Sequence, residues 1–456
     1  MIDALKIPAL ERNGKLTRFT WILIVLIVLI GTIPRVASVA WNVPYLHDND
    51  LYGNAATSLA ERGDFKIGTV KVTNDALHYS VKALHGEYLS HNPLWPTISA
   101  GISVLTHLKL NGYDALAVLS FIFGIGVLFL LFYAGRLMHG TETGLTTLAL
   151  GSFSFLLIDY SGNGSFYIFQ AFLYLVFLCC LWRGGRWTHP ILMGVLIGCA
   201  LLTVHQSVAL FPAYAIYLLF THKWNWKKIL RDLTICIATA ILLYLPWGIR
   251  NTMLLGDFFP PTDTNYVWLK LGIPPIMDGD ISNFNTGAAT FKLLAIRILT
   301  KWLPDNLYFV NRQLFVLAPI TYFFALFASA HLVFGRWWKT IDAKTTERLM
   351  PLLVLLGFHI LISTIWPVTK FRYFTGMLPL VLLLGTWYIF TYLKRMRTLA
   401  IATSVLAMAV LSVMTYLGSP AHTYFYGGVL TTDPFSTKWE VDFVNTYNPR
   451  PRDPNL

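Results

Sequence analysis

Long apolar runs alternate with short polar segments along most of the chain, and this pattern predicts a bundle of membrane helices. A helix that spans a bilayer needs about 20 mainly apolar residues, or somewhat fewer inside a bundle. The segments that meet this condition are 19–41, 113–135, 144–159, 165–182, 190–204, 206–220, 229–248, 313–334, 349–366, 374–393 and 398–417. The sequence therefore predicts an all-α polytopic membrane protein with about 11 transmembrane helices.

A further segment, Leu94 to Lys109, is moderately apolar but contains several polar residues. If it does not cross the membrane, the predicted inner regions hold 18 of the 35 Lys and Arg residues. If it does cross, 14 of those 18 charges move outside, against the positive-inside rule. We therefore predict that this segment is a re-entrant or interfacial helix.

The same charge count predicts the organisation of the chain in a plasma (inner) membrane. Residues 1–18 form a cytoplasmic N-terminus, because the first span is too long for a removed signal peptide and basic residues precede it. Residues 19–417 form the transmembrane module, with a first outer loop at 42–112 and a second large outer loop at 249–312. Residues 418–456 form an extracytoplasmic tail. Any chemistry is expected at the outer membrane face.

Composition excludes the main soluble alternatives. Hydrophobic residues make up 55% of the chain and charged residues only 13%, whereas soluble domains average roughly 25% charged residues. The four cysteines all lie in apolar runs, which argues against a secreted disulfide scaffold. The formal charge of +12 is explained by the positive-inside rule, so no nucleic-acid partner is expected.

The first outer loop contains a predicted amphipathic helix. Its apolar face has the spacing of one side of an α-helix and consists of Leu51, Tyr52, Ala55, Ala56 and Leu59. Asp48 lies at or just before the first turn and Gly63 ends the helix. On the residues alone, an N-cap role for Asp48 competes with a chemical one.

Four motifs occur in the order seen in one enzyme superfamily. They are the acidic first-loop segment from Asp48 to Phe65, His91-Asn-Pro-Leu-Trp-Pro96, Leu245-Pro-Trp-Gly-Ile-Arg-Asn251 followed by Gly256-Asp-Phe-Phe-Pro260, and Phe371-Arg-Tyr-Phe-Thr-Gly-Met-Leu-Pro379. Together they resemble the GT-C glycosyltransferases, most closely the branch of protein O-mannosyltransferases and the aminoarabinose–lipid A transferase. The resemblance implies a GT-C-like bundle with amphipathic interfacial helices in the first outer loop.

The resemblance also implies a reaction. A sugar on a polyprenyl-phosphate donor is transferred, with inversion, to a hydroxyl of a lipid, glycan or protein acceptor. Asp48 aligns with the family's catalytic base, and Asp50 is the candidate for a second carboxylate. A base must lie within about 3 Å of the proton that it accepts.

The departing lipid phosphate needs cations directed at its oxygens, because negative charge accumulates there. The outer-face candidates are Arg372, Arg250 and Lys370. For all three, the alternative is an interfacial side chain that extends toward the headgroups without a chemical role. Arg372 and Arg250 are the stronger candidates because each lies inside a family-like motif.

Other polar residues are predicted to line the substrate site: Tyr52, His91, Asn92, Asp159, His205, Gln206, Asn251 and Tyr373. The outer histidines have no zinc-like spacing and no cysteine beside them. No cofactor is required by the pattern. A divalent cation, Mg²⁺ or Mn²⁺, bridging Asp48 or Asp50 to the donor phosphate stays an open alternative.

A transporter or flippase of a lipid-linked saccharide is the second functional hypothesis. Such proteins usually carry internal repeats and charges near the middle of the membrane. The chain shows no evident repeat, its central spans contain almost no ionisable residues, and its charges concentrate at one face. A structural scaffold is a third alternative, which the polar residues of 42–92 disfavour.

Overall fold

Helices form almost all of the computed structural model, which describes residues 10–12, 15–41, 47–66, 92–107, 109–255, 258, 295–296, 298–335, 340–365 and 371–418. The α-helices are α1 (Arg18–Trp41), α2 (His47–Arg62), α3 (Leu94–Leu105), α4 (Gly112–His139), α5 (Thr141–Ser152), α6 (Phe155–Asp159), α7 (Tyr167–Arg183), α8 (Pro190–Leu201), α9 (Leu210–Thr221), α10 (Trp226–Leu255), α11 (Leu303–Leu317), α12 (Pro319–Phe334), α13 (Ala343–Ile365), α14 (Phe374–Tyr392) and α15 (Arg397–Gly418).

Short elements join these helices. A two-stranded antiparallel ladder, β1 (Glu11–Arg12) with β2 (Lys15–Leu16), precedes α1. Turns of 3₁₀-helix occupy Gly185–Thr188, His205–Ala209 and Phe371–Tyr373, and a π-helical turn occupies Ile298–Trp302.

The predicted all-α membrane fold is confirmed. Within the described ranges, α1, α4, α10, α13 and α14 contain segments long and apolar enough to span a bilayer, and α3, α7, α8, α12 and α15 contain shorter apolar segments. Almost every side chain of α14 is buried, so this helix lies at the centre of the bundle. The tail at 419–456 and most of the second large loop lie outside the described residues.

Two predicted spans are wrong as single helices. The segment 144–159 is divided between α5 and α6, where the Ser154 hydroxyl accepts a hydrogen bond from the N–H of Leu157 and caps the second helix. The segment 313–334 is divided at Ala318, whose backbone is not helical, and Pro319 begins α12. Proline favours a helix start because its missing N–H has no partner there in any case.

The ambiguous segment forms α3, whose 12 residues rise only about 18 Å, well short of the roughly 30 Å core of a bilayer. The N–H of Leu94 donates to the Leu202 carbonyl, 3.0 Å away, just after α8. The Ser99 hydroxyl donates to the carbonyl of Gly112, 2.9 Å away, at the start of α4. Both contacts support a helix that stays at one end of the bundle.

The amphipathic helix predicted in the first loop is α2, and it packs against α3 and α4. Tyr52, Ala55 and Ala56 are fully or almost fully buried, as the spacing predicts, and Leu59 is half-buried. We call the end of the bundle at which this helix packs the α2 end.

Two glycines let α2 approach α4 closely. Gly53 lies against the ring of Tyr113, and Gly112 lies against the carbonyl of Gly53, so a Cβ atom at either position would overlap its neighbour. The N–H of Gly112 donates to the hydroxyl of Thr57 at 3.1 Å. This hydrogen bond satisfies one of the N–H groups at the start of α4 that have no partner within the helix.

The opposite end of the bundle is held by ion pairs. Arg136 at the end of α4 binds Glu11 of the β-ladder at 2.9 Å, and Arg397 at the start of α15 binds Glu142 at 3.2 Å. The hydroxyl of Thr141 also donates to Glu11, and this hydrogen bond together with Arg136 lowers the pKa of that carboxyl. The N-terminal ladder is thereby fixed to the ends of two helices.

The placement of α3 predicts which residues reach the outer medium. We expect a cysteine at exposed Lys109 to react with a membrane-impermeant thiol reagent in intact cells, as should one at exposed Glu61 beside α2. A cysteine at exposed Asn225, at the opposite end of the bundle, should not react. The four native cysteines are buried or half-buried and give a low background. Labelling of Asn225→Cys with protection of Lys109→Cys would contradict this topology.

The glycine contact predicts a packing-dependent loss of stability. Gly53→Val should destabilise the protein by about 1–3 kcal/mol, the usual cost of inserting carbon atoms into a packed contact, because the new side chain meets the Tyr113 ring. Ala60→Val, at a half-buried position of the same helix, is the matched control. It measures the cost of placing a β-branched residue in this helix without the contact with Tyr113. The measurement is thermal unfolding of the purified variants; equal melting temperatures would show that the close approach is unimportant.

Candidate functional site

The first turn of α2 carries the two carboxylates predicted to do the chemistry. Asp48 and Asp50 are the second and fourth residues of this helix, which begins at His47. Their side chains lie outside the part of the chain that the structure describes, as do His91 and Lys370 altogether.

A row of aromatic rings connects α2 to the predicted phosphate-binding arginine. The ring of Tyr52 meets that of Phe166 edge-on, with centroids 5.5 Å apart. Phe166 contacts Tyr167 at 4.1 Å, and Tyr167 contacts Tyr373 at 6.0 Å. The Arg372 guanidinium lies 5.8 Å from the centre of the Tyr167 ring. Tyr52 and Tyr373, both predicted to line the site, thus lie at the two ends of this row, with the rings of Phe166 and Tyr167 between them.

Arg372 occupies the turn that opens the central helix. The 3₁₀ turn Phe371–Tyr373 leads directly into α14, so the N–H groups of that helix's first turn lie next to the arginine. A helix N-terminus attracts anions through its unpaired N–H groups and its dipole. The arginine and the helix start therefore combine in one cationic environment.

Arg250 lies near the other end of α2. Its guanidinium is 4.5 Å from the ring centre of Trp247 and 5.7 Å from that of Phe65, and these two rings contact each other at 5.4 Å. Phe65 follows the end of α2, where Gly63 has a positive φ of 73° that favours glycine. The first loop therefore contacts Arg250 directly through Phe65, and it is connected to Arg372 through the rings of Phe166 and Tyr167.

Asp64 is an additional carboxylate in this loop, and its role is structural. The Ser58 hydroxyl donates to it, and this hydrogen bond lowers the pKa of the carboxyl below its usual value. The Arg62 guanidinium lies 3.6 Å from the same oxygen. Because these contacts keep Asp64 ionised, it fixes the end of α2 and is poorly suited to carry a proton.

Two of the predicted lining residues, His205 and Asn251, make contacts in the part of α10 that lies at the α2 end. The Nε2 atom of His205 and the hydroxyl of Tyr244 are 3.2 Å apart, and the Tyr244 ring contacts Phe258 at 5.7 Å. Asn251 is fully buried and its amide donates to the carbonyl of Phe258 at 3.4 Å. These contacts attach the segment after α10 to the face that carries Arg250.

Asn92 and Asp159 make mainly structural contacts. The Asn92 amide donates to the Leu201 carbonyl and fixes the start of α3 to α8. Asp159 is buried at the end of α6, where its carboxylate is 3.5 Å from the Asn163 amide and its carbonyl accepts from Ser38. The turn that follows brings Tyr160 to 5.9 Å from Tyr167, so Asp159 lies two contacts from Arg372.

Sequence reasoning missed a buried polar cluster beneath Arg372. Gln170 and Tyr174 of α7 and His359 of α13 are fully buried and hydrogen-bonded to one another. Gln206 belongs to this cluster, because its carbonyl lies 3.5 Å from the Tyr174 hydroxyl. The available signal was a lone histidine within an apolar span, which is expensive in a membrane and therefore usually functional.

The described residues contain no group of three or more His, Cys, Asp and Glu side chains that could hold a metal ion. Since the side chains of Asp48 and Asp50 lie outside that set, a divalent cation shared by these carboxylates and a phosphate stays a prediction.

Part of the chain is similar to a known protein family. Residues 91–249 match the family model described as dolichyl-phosphate-mannose-protein mannosyltransferase, which is roughly a third of the chain. No curated protein matches. The matched range includes α3, the aromatic residues 166 and 167, and α10 up to the residue before Arg250.

The fold is similar to solved membrane enzymes. The oligosaccharyltransferase AglB of Archaeoglobus fulgidus, in complex with an inhibitory peptide and a dolichol-phosphate, matches with a TM-score of 0.55 and 13% identity over 92% of this chain and 61% of its own. ArnT of Cupriavidus metallidurans, bound to undecaprenyl phosphate, matches with a TM-score of 0.52 and 16% identity over 89% of this chain and 66% of its own.

A further structure of the Archaeoglobus fulgidus oligosaccharyltransferase, in complex with Zn and sulfate, has a TM-score of 0.55 and 15% identity, covering 86% of this chain and 52% of that one. The chain thus spans between about half and two thirds of the length of these proteins. At such low identity, the likeness is one of fold. The predicted resemblance is confirmed at that level: the chain has the fold of the GT-C membrane glycosyltransferases.

Proposed function

We propose that the protein is a membrane glycosyltransferase that moves a sugar from a polyprenyl-phosphate donor to an acceptor hydroxyl at the α2 end of the bundle. The matched family is named for a dolichyl-phosphate-mannose donor, and two enzymes of similar fold are bound to dolichol-phosphate and undecaprenyl phosphate. These findings support a lipid-linked donor and a transfer reaction that takes place at the membrane.

The contact between Tyr52 and Phe166 is the observation that carries this proposal. Tyr52 lies one helical turn after Asp48, and Phe166 adjoins the tyrosine on which Arg372 is placed. The helix with the candidate base and the turn with the candidate phosphate-binding cation therefore flank one region. A sugar transfer needs these two groups on opposite sides of the anomeric carbon.

Asp48 acts as the general base in this proposal. As the acceptor hydroxyl attacks the anomeric carbon from the face opposite the phosphate, the carboxylate removes its proton, and the configuration inverts. Asp50 supports the same site from the same helical turn. The rigid attachment of α2 to α4 fixes the orientation of the base. A catalytic group held in the right geometry lowers the barrier of the reaction.

Arg372 binds the departing lipid phosphate. The negative charge on the phosphate grows as the glycosidic bond breaks, so a fixed cation and a helix N-terminus stabilise the transition state more than the ground state. Arg250 and Lys370 are proposed as further phosphate contacts. Arg250 lies beyond the C-terminal end of α2, away from Arg372. It could therefore bind an anionic group of the substrates other than the departing phosphate.

We place the reaction at the extracytoplasmic face of the plasma (inner) membrane, with the N-terminus in the cytoplasm and residues 418–456 outside. The distribution of Lys and Arg supports this orientation. The acceptor is a lipid, glycan or protein hydroxyl. The second hypothesis, a flippase of a lipid-linked saccharide, gains nothing from the comparisons, and the buried Arg35 of α1 is bonded to backbone carbonyls.

Asp48→Asn should leave the protein folded and abolish transfer. The amide of asparagine has nearly the same shape as the carboxylate but cannot accept the proton of the acceptor. Asp114→Asn, an exposed carboxylate in the first turn of α4, is the matched control and should transfer normally. Transfer is measured with purified protein and a polyprenyl-phosphate-linked sugar; near-normal turnover by a monodisperse Asp48→Asn variant would show that Asp48 has only a structural role in the first turn of α2.

Arg372→Ala should lower turnover and turnover over KM together, by roughly a hundredfold, the scale of losing one preorganised donor to a developing anion. Arg372→Lys should also be impaired, because a bidentate fork becomes a single charge. If Arg250 serves the same phosphate, Arg250→Ala shows the same pattern; if it only binds substrate, KM alone rises.

The control for these variants is Arg186→Ala. This exposed arginine also stacks on a tryptophan, 5.3 Å from the Trp187 ring, at the opposite end of the bundle. Its loss should leave transfer unchanged. Full turnover by both Arg372→Ala and Arg250→Ala would place the phosphate site elsewhere.

A further inference from the structure

The turn between α9 and α10 carries an exposed aromatic pair at the end of the bundle opposite the α2 end. Trp224 and Trp226 are 55% and 57% exposed, and their rings meet edge-on with centroids 6.1 Å apart. Tryptophan is enriched where a membrane meets water, because its ring is apolar and its N–H is polar. Such a pair at one end of a membrane bundle is therefore expected to contact lipid headgroups.

Two residues of this turn have a strained backbone. Lys223 has a φ of 49° and Trp224 a φ of 64°, a left-handed conformation that is unfavourable for both residue types. The N–H of Lys223 donates to the Phe220 carbonyl at 3.2 Å, and that of Trp224 to the Leu219 carbonyl at 3.1 Å. Strain that the surrounding contacts maintain often marks a functional segment. Here it places a cation and an aromatic ring side by side at the surface.

Further cations follow in the first two turns of α10. Lys227, Lys228 and Arg231 are all exposed. Helical residues three and four apart lie on one face, so Arg231 lies between the two lysines, and like charges at this spacing repel one another. With Lys223, residues 222–232 hold four Lys and Arg side chains and one carboxylate, that of Asp232. This surface therefore keeps an excess of positive charge that an anion would stabilise.

Asp232 connects the turn to the helix and fixes one of these cations. It is buried, and its Oδ2 atom lies 2.8 Å from Nε2 of His222. Its Oδ1 atom lies 2.8 Å from both Nε and Nη2 of Arg231. A guanidinium has five N–H donors, so others stay available on this side chain, which is 65% exposed. The carboxylate thus orients Arg231 without covering it.

An apolar stripe begins beside the cations and continues along α10. Its exposed residues are separated by four, seven and four positions, the spacing of one side of a helix; they are Trp226, Leu230, Ile237 and Ile241. Lys227 directly follows the first of them and Arg231 the second, so the cations border the stripe. An apolar stripe that ends at cations matches a phospholipid, whose chains are apolar and whose phosphate is anionic.

We propose that Lys223, Trp224, Trp226, Lys227 and Arg231 form a binding site for an anionic phospholipid of the leaflet at this end of the bundle. The phosphate contacts the three cations, the tryptophan pair packs against the glycerol region, and the chains follow the stripe of α10. A zwitterionic lipid fits less well, because its own cation would face the cluster. The site lies at the end opposite the proposed sugar transfer and does not depend on it.

The first test is native mass spectrometry of the purified protein, titrated with dioleoyl phosphatidylglycerol or with dioleoyl phosphatidylcholine, which has the same chains. The tightest phosphatidylglycerol should bind at least about tenfold more strongly than phosphatidylcholine. Lys223→Gln/Lys227→Gln/Arg231→Gln should remove this preference, because each cation near an anionic headgroup contributes a factor of about five. Lys227→Glu, which leaves the Asp232 contacts intact, should weaken phosphatidylglycerol binding by itself.

The matched control is Lys344→Gln/Lys394→Gln/Arg395→Gln. It removes three exposed cations from the same end of the bundle and should retain the tight site. A second variant removes the rings instead of the charges. Trp224→Asn/Trp226→Ala keeps a residue that tolerates the left-handed conformation, and it should bind phosphatidylglycerol several-fold more weakly. Added phosphatidylglycerol should raise the melting temperature of the wild type more than that of either site variant.

Equal affinity for the two lipids, an unchanged preference in the triple site variant, or an equal loss in the control variant would overturn the proposal. Glycerol phosphate at the concentration of the lipid should not compete; if it does, the cluster binds free phosphate and the lipid assignment is wrong. None of these measurements uses sugar transfer, so their outcome and that of the proposed function are independent.

Discussion

The close contact between α2 and α4 is the constraint on which the rest of the site depends. Gly53 and Gly112 have no side chains at the crossing, so the two backbones meet and the N–H of Gly112 reaches Thr57. In a membrane, association of helices depends on such close packing, because lipid is as apolar as the side chains it would replace. A short, polar helix is thereby fixed rigidly to one end of an apolar bundle.

Because this contact fixes α2, the helix sets the spacing of the site residues along its length. Its first turn carries the candidate base, Tyr52 reaches the aromatic row that ends at Arg372, and Phe65 beyond its end reaches Arg250. Both arginines rest on aromatic faces, at 5.8 Å and 4.5 Å from the nearest ring centres. A stacked guanidinium is held by its face, and its N–H donors point along the edge, where oxygens bind. Stacking thus orients a cation without neutralising it.

Much of this arrangement could be predicted from the sequence, because it depends on local pattern. The spacing of Tyr52, Ala55 and Ala56 was sufficient to identify the buried face of α2, and charge counting was sufficient to favour a short α3. The breaks within two predicted spans were missed, since an apolar run has the same hydropathy whether or not a serine cap or a proline interrupts it.

Long-range polar contacts were equally invisible in the sequence. Arg35 lies inside the first predicted span and is fully buried. Its guanidinium donates to the carbonyls of Gly31 and Gly151, and Gly151 is 116 residues away in the sequence. The chain from Gln170 to His359 joins residues from helices that are distant in sequence. Such partners are set by how the helices pack, and no periodicity in one helix encodes its neighbour.

A cryo-electron microscopy structure of the protein in nanodiscs with undecaprenyl phosphate would test the central claim most directly. The account predicts a phosphate bonded to the Arg372 guanidinium and to the first turn of α14, with the first turn of α2 facing it across a gap wide enough for one sugar ring. A phosphate bound at the opposite end of the bundle, or one at the α2 end that contacts neither Arg372 nor the start of α14, would contradict it.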